Sequence, residues 1–497
     1  MCGLAGIFRA DEGGIDAGTL ARMTGALSHR GPDGDGFHVE PGLGLGHRRL
    51  SIIDIGGGHQ PMFNEDDSVV VVFNGEIYDH ARLRPVLEAC GHVFRTRSDT
   101  EVIVHAWEEW GPDCLRRLAG QFVFALWDRN RGQLFIARDH LGKKPLHYAR
   151  APDGAVVFAS ELRALAHVPG LPRRISPTAV DDFFAYGYVP DPGTIFEGIH
   201  KLPAAHYLLL DRGGAPAVPH RYWSVPTTTR PETEADAVEG LTRHLTEATR
   251  RRLIADVPVG AFLSGGVDSS AVVATAARLK SSPLSTFTIG FAGSEDETPL
   301  AESMARHYGT AQHSDTAVLD YMTGARDAGR VHGEPFGDSS SVPTLAVCAL
   351  ARRHVTVAIS GDGGDEVFAG YRRYRFHQVT EAVRRLIPAP LRRSVLGRVA
   401  QAYPKMDWAP RWLRAKHTLT EISLDSALGY YRMLTKVHGD RRRAMFSPAL
   451  RAQLDGHDPA SRVVDLVEAS GTEDSLLQAQ YVDIHTYLVG DILTKVD

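Results

Sequence analysis

Cysteine is scarce in this chain. There are four in 497 residues (Cys2, Cys90, Cys114 and Cys348), and no two share a paired spacing. That excludes a disulfide framework and a zinc knuckle built on cysteine pairs. No run of about 18 apolar residues occurs, and the start lacks a basic region followed by a long apolar segment. Neither a membrane span nor a secretory leader is expected, which makes the cytoplasm the expected location. An excess of positive charge is also missing: the formal net charge is −5, against a dedicated nucleic-acid binder. Internal repeats and low-complexity tracts are absent too. What remains is a soluble globular composition, and a length that predicts two or three domains.

Two halves with different periodicities fill that length. In the first, "SVVVVFNGEIYD" reads as a strand running into a turn at Asn74-Gly75, and "QFVFALWDRNRGQLFIARD" as a hairpin around Asn130–Gly132. "AVVFASEL" reads as a further strand, while "HARLRPVLEAC" and "TEVIVHAWEEWG" have helical spacing. This is an antiparallel β structure with some helix. A Gly-, Pro- and Thr-rich stretch then marks a linker ending near Thr227 to Glu234. Beyond it, "VPVGAFLSGGVDSSAVVATAARLK", "LSTFTIGF", "TPLAESMARHYG" and "VTVAISGDGGDEVFAGY" alternate strand with helix, which predicts a covered parallel sheet. From about Phe376 the chain reads as mainly helical. "TRRRLIAD" is a basic helix end, and "YRRYRF" is read as a solvated patch rather than a phosphate-facing one. The 23 histidines show no ligand spacing, and His47, His80 and His105 are read as surface or polar-core residues.

Three short stretches carry chemistry. "MCGLAGIF" puts Cys2 directly behind the initiator: removal of Met1 would join a thiol and a free α-amine on one residue, whereas the plainer reading is a small buried hydrophobe opening a strand. "LSGGVDSS" follows a strand and opens a helix. Its paired glycines and serines suit an anion held on helical N–H groups, Asp268 could hold magnesium, and the Gly-Lys-Ser/Thr ending of a Walker loop is absent. "SGDGGDE" repeats the theme, with Asp362, Asp365 and Glu366 as acids able to hold metal or move a proton, although taken alone it reads equally as an acidic glycine turn.

"LSGGVDSS" matches the signature of the pyrophosphate-loop ATP pyrophosphatases. Together with "SHRGPDGDG", "GHRRLSIID", "FNGEIYD", "RSDTE", "ARDHLGKKPLHY" and "SGDGGDEVFAGY", all in order, the chain resembles the glutamine-hydrolysing asparagine synthetases. The resemblance implies an α/β and α+β two-domain fold. Residues 1–215 would be a four-layer αββα Ntn-hydrolase glutaminase and 216–234 a linker. Residues 235–497 would hold a doubly wound parallel sheet of the adenine nucleotide α-hydrolase-like type with a helical extension.

The same resemblance implies the roles. Cys2 attacks glutamine with its own amine as base, and Asn74 and Gly75 supply oxyanion donors. Arg49, Leu50, Ser51, Ile52, Ile53, Asn74, Gly75, Glu76 and Asp99 bind glutamine, Arg49 at its carboxylate and Glu76 and Asp99 at its ammonium. Leu263, Ser264, Gly265, Gly266, Asp268, Ser269, Ile289, Ser360 and Gly361 bind ATP, Asp268 and Asp365 hold Mg2+, and Asp362 takes a proton from the attacking ammonia. Ammonia passes through an internal tunnel, aspartate is the simplest acceptor, and many members are homodimers. No nucleic-acid or membrane partner is implied.

There are two departures. Asp362 stands where some members have glutamate, which changes the reach of the acid. The chain also stops at "LTKVD", where members continue into segments that help close the acceptor site, so the resemblance implies a whole glutaminase and a compromised synthetase. Alternatives stay open: the same chemistry on another carboxylate, or a regulatory relative. A phosphoribosyl-pyrophosphate amidotransferase is disfavoured by "LSGGVDSS", and the lactam-forming branch by Cys2.

Overall fold

A computed structural model describes residues 1–214, 216–291, 297–317, 321–404, 408, 410 and 415–497. The first half builds two six-stranded antiparallel sheets. One runs, edge to edge, Ile199–Lys201, His147–Arg150, Val156–Ala159, Gly3–Phe8, Leu43–Arg49 and Gly34–Glu40. The other runs His220–Arg221, His206–Asp211, Gln133–Arg138, Gly120–Asp128, Val69–Ile77 and Met62–Phe63.

Alternation along the strands sorts side chains into layers. Val70 and Val72 point inward with Leu4, Phe8, Leu45 and Trp127, filling the space between the sheets. Val69, Val71 and Phe73 point outward under the helices His80–Ala89 and Glu101–Trp110. On the far side, Ala5 and Ile7 pack under Leu20, Met23 and Leu27 and the helix Pro177–Tyr186. Two helical layers thus enclose two sheets, the expected αββα sandwich.

The Asn130–Gly132 hairpin forms, with Gly132 at φ +61°. The expected turn at Asn74-Gly75 does not. Both residues continue the strand, opposite Val123 and Phe122. A Cβ on Gly75 would lie 2.1 Å from the Gln121 carbonyl oxygen, so this glycine serves close strand approach rather than a turn. Part of the 216–234 stretch is also structured. His220–Arg221 adds an edge strand, and the buried Tyr222 donates its hydroxyl to the Arg138 carbonyl at 2.9 Å. Residue 215, the expected boundary, lies outside the described residues. Regular structure resumes with the helix Glu234–Arg252, whose last turn carries Arg250, Arg251 and Arg252.

The second half centres on a parallel sheet ordered Ala311–Ala317, Ser285–Phe291, Val259–Phe262, Val357–Ile359. The helices Val267–Leu279 and Thr298–Tyr308 cover one face through Val273, Ala276, Ala301 and Ala305. Leu350, Ala351 and Val355 cover the other against Phe287. After Val259–Phe262 the chain moves outward through two strands, then returns to the opposite side with Val357–Ile359. The strand order therefore reverses between these two neighbours, where such sheets bind ligands.

The helices beyond Arg372 pack back on the first domain. Tyr374, Tyr430, Val463 and Val482 share a core with Tyr186 and Tyr188, and buried Arg442 pairs with buried Asp181 at 2.5 Å. The solvated reading of "YRRYRF" is corrected for two of its residues. Arg373 stacks on Tyr371, Tyr374 and Tyr487 and pairs with the buried Asp483 at 2.8 Å, while Tyr374 is itself buried. An arginine can enter such a core because aromatic faces and a carboxylate replace its water.

Candidate active sites

Cys2 immediately precedes the strand Gly3–Phe8, in which Gly3 faces Arg48 of Leu43–Arg49. That register carries Arg49 and Leu50 past the thiol: the Leu50 N–H donates to Cys2 Sγ at 3.4 Å. The other sheet brings up Asn74, Gly75 and Glu76, and a loop adds Ser98, Asp99 and Thr100. Cys2, Arg49, Leu50, Ile52, Ile53, Asn74, Gly75, Glu76 and Asp99 line one cavity at the rim between the sheets. Ser51 does not. Its N–H is held by Asp33 at 2.8 Å and it lines a neighbouring hollow.

The polar groups of this cavity are poised for a guest. Asn74 is buried, and neither its Oδ1 nor its Nδ2 has a protein partner. Buried amides are ordinarily satisfied, so an orphaned one aimed into a cavity is a ligand contact in waiting. Burial, reinforced by the charge of Asp99, pushes the Glu76 carboxyl up to about 8. Burial raises Asp99 as well, although its carboxylate accepts the Ile77 N–H at 2.8 Å. Two desolvated acids in one cavity suit a cation. Burial also raises the Cys2 thiol, leaving it in need of a base. The amine of Met1, next to Cys2, is pushed down to about 5 by burial.

Arg49 has a second task. Its guanidinium donates to the carbonyls of Ile53, Asp54 and Ile55 at 3.3, 2.7 and 2.9 Å, bracing the loop that closes the cavity. Two of its five N–H groups remain for a ligand. The second domain holds the same loop: Asp256 accepts from the Asp54 N–H at 2.7 Å and donates its own N–H to Ile52 at 2.9 Å.

Arg30, Lys144 and Asp497 were not singled out by sequence reasoning. Arg30 donates to the Cys2 carbonyl at 2.9 Å and pairs with Asp497 at 2.6 Å and Glu161 at 3.0 Å. Lys144 is buried, pairs with Asp497 at 3.0 Å and touches Met1 Sδ. Arg30 and Lys144 sit inside "SHRGPDGDG" and "ARDHLGKKPLHY", so the signal was there without a role attached.

At the second centre the two glycine loops follow adjacent strands and close on each other. Ser264 Oγ and Ser269 Oγ lie 2.9 Å apart, and Gly266 N–H donates to Ser264 Oγ at 3.3 Å. A Cβ on Gly361 would lie 2.7 Å from the Ser269 nitrogen, and one on Gly364 2.5 Å from Asp268 Cγ. Gly265 takes φ +82°. Leu263 is buried and its N–H donates to Phe287 at 3.0 Å, two residues before Ile289 on the same strand. Ser360 directly follows Val357–Ile359. Burial and then the charge of Asp365 raise the Asp268 carboxyl, and oxygen donors of this kind are what a hard divalent cation takes. Asp362 is exposed. Glu366 turns away into the protein, accepting from the Tyr371 hydroxyl at 2.8 Å, and does not join this pair.

The chain matches the family model of the glutamine amidotransferase domain over residues 1–223 and that of asparagine synthase over residues 240–497. It is 33% identical over 513 residues to asparagine synthetase [glutamine-hydrolyzing] 1 of Bacillus subtilis, an alignment covering all of this chain and 77% of that protein. It is 35% identical over 394 residues to asparagine synthetase [glutamine-hydrolyzing] 3 of the same organism, covering 75% and 63%. Two glycine loops that meet after adjacent parallel strands, a cysteine-lined rim between two sheets and these matches agree: the chain belongs to the glutamine-hydrolysing asparagine synthetase family.

Proposed function

We propose that this chain is an ATP-dependent carbon–nitrogen ligase that hydrolyses glutamine at Cys2 and passes the ammonia to an adenylated aspartate, giving asparagine, glutamate, AMP and diphosphate. The observation carrying the first half is the orphaned Asn74 amide, buried beside Cys2 with nothing of the protein to bond.

Once Met1 is removed, the Cys2 amine takes the thiol proton and the thiolate adds to the glutamine amide carbon. Asn74 Nδ2–H and Gly75 N–H receive the oxyanion. Ammonia departs with a proton returned from the amine, and water then releases glutamate from the thioester. Glu76 and Asp99 hold the substrate ammonium and Arg49 its carboxylate. Between the two halves lies a cavity of about 230 Å³, lined by Met1 and Arg30 of the first half and by Val331, Phe336 and Thr494 of the second. We assign it as the ammonia route.

At the second centre, Ser264, Gly265, Gly266 and Ser269 cradle the diphosphate, with Leu263, Ile289, Ser360 and Gly361 along the nucleoside. Asp268 and Asp365 are the residues that would hold Mg2+, which offsets phosphate charge when bound. Asp362 collects the proton shed as ammonia attacks the acyl-adenylate. A homodimer, as the family resemblance implies, in the cytoplasm, as the sequence reading expects, completes the proposal. Among the described residues no helix is long and apolar enough to cross a membrane.

The test is product analysis with glutamine, Mg-ATP and aspartate. Glutamate, asparagine, AMP and diphosphate in equal amounts are expected, a result that would overturn the expectation of a compromised synthetase. Glutamate without AMP would overturn the synthetase half, and formation of AMP only with another carboxylate would overturn aspartate as acceptor.

A further inference from the structure

Away from both centres, two histidines and two glutamates converge on the outer, helical side of the first domain. Glu65 lies in the turn after Met62–Phe63, His92 on the loop after His80–Ala89, and His105 and Glu108 on the helix Glu101–Trp110. One ligand atom from each falls within 4.8 Å of all the others, and none of the four lines the Cys2 cavity. We propose that Glu65, His92, His105 and Glu108 form a binding site for a transition-metal dication, zinc in the first place.

The spacing is the first argument. His92 Nδ1 lies 3.2 Å from Glu65 Oε1 and 3.7 Å from Glu108 Oε2. His105 Nδ1 lies 3.6 Å from Glu65 Oε2 and 3.3 Å from Glu108 Oε2. A tetrahedral zinc bound at about 2.1 Å separates its donor atoms by roughly 3.4 Å. Charge-assisted hydrogen bonds without a metal would close to about 2.7–2.9 Å.

The second argument is how each ligand is held from behind. Both imidazoles turn Nδ1 inward and Nε2 towards another carboxylate: His92 to Glu109 at 3.2 Å, His105 to Glu101 at 3.8 Å. Glu101 is itself fixed by the N–H groups of Arg95 and Thr96 at 2.7 and 2.8 Å. Glu65 Oε1 accepts the Val93 N–H at 2.7 Å, and Glu108 Oε1 accepts Asn64 Nδ2–H at 2.7 Å. A carboxylate hydrogen-bonded behind a ligating imidazole, as Glu109 is behind His92, is the arrangement that orients metal-binding histidines, whereas Glu101 faces His105 Nε2 without bonding it. Two imidazoles and two carboxylates select zinc or a neighbouring transition metal over magnesium. His92, Glu65 and Glu108 are partly exposed, which leaves an entry path. A bound ion would tie three chain segments together, including the loop that runs on to Asp99.

The test uses the full chain, stripped with a chelator and titrated with Zn2+ against a chromogenic competitor, then with Co2+ under visible absorption. One saturable equivalent per chain is expected, with the intense Co2+ bands of a four-coordinate site and no sulfur-to-cobalt charge-transfer band. His92→Gln and Glu108→Gln, partly exposed and expected to fold by circular dichroism, should each abolish the saturable uptake, and Glu109→Gln should weaken it about 10-fold. Uptake that does not saturate, weak six-coordinate Co2+ bands, a thiolate band, or uptake surviving in folded His92→Gln and Glu108→Gln would overturn the site.

Discussion

Asp497 Oδ2 lies 2.6 Å from Arg30 Nη2, and Arg30 Nε in turn holds the carbonyl of Cys2 at 2.9 Å. One guanidinium thus joins the far end of the described chain to the backbone of the proposed nucleophile. Lys144 meets the same carboxylate at 3.0 Å. Burial alone would raise the Asp497 carboxyl, but Arg30 and Lys144 outweigh it and hold it at about 2.

This pairing predicts a stability effect with a definite pH window. The stabilisation is complete above the ordinary value of 3.8 and is lost as pH falls through about 2, and its size is on the order of 2 kcal/mol. Asp497→Ala leaves two buried cations short of a partner and should cost about 3–5 kcal/mol. Urea unfolding at neutral pH and along an acid series would read both, with the variant losing less on acidification than the parent.

Asn74 sets function against stability. It makes no hydrogen bond that the fold would miss, and it buries two unsatisfied polar atoms. Asn74→Ala should therefore leave the unfolding midpoint unchanged or raise it, while glutaminase turnover falls about 10²–10³-fold. A variant that lost stability in step with activity would assign Asn74 a packing role instead.

Glu76 supplies a pH signature. With its carboxyl raised to about 8 by burial and then by Asp99, it is largely protonated at neutral pH. Holding an ammonium requires the carboxylate, so glutamine affinity should climb with pH until about 8 and then level. Glu76→Gln should flatten that part of the KM profile and weaken glutamine binding about 10–100-fold, the worth of a charged hydrogen bond. Any rise carried by the Cys2 thiol would persist in this variant.

Gly361→Ala separates the centres. The added methyl meets backbone at Ser269 and Asp268, at 2.7 and 2.9 Å, so the two glycine loops must part. ATP–diphosphate exchange should be lost while glutaminase turnover stays near the parent value. Intact exchange would mean that the joint between the loops does not shape the nucleotide site.

Much of this architecture was legible in residue order. The switch from alternating to helix-punctuated apolar runs located the two halves, because strand and helix periods are local properties of the chain. Dense motifs located both centres. Three features were not legible. Asn74-Gly75 reads as a turn pair, and only the partner strand Gly120–Asp128 explains why a glycine is needed within a strand there. Arg373 reads as solvated until Tyr487 and Asp483, more than 100 residues away, close over it beside its neighbour Tyr371. His92 and His105 have no ligand spacing along the chain, because folding rather than sequence brings their rings to 4.7 Å. Each depends on a contact between segments far apart, which local pattern does not encode.

The central claim is that Cys2, freed of Met1, is the nucleophile of the cavity it lines. A diazoketone analogue of glutamine, added to purified protein and followed by intact and peptide mass spectrometry, tests it most directly. The account predicts one adduct per chain, on an N-terminal Cys2, absent in Cys2→Ala and formed more slowly in Asn74→Ala. A chain lacking Met1 that takes no label at Cys2, or takes it on Cys90 or Cys348 instead, would contradict it.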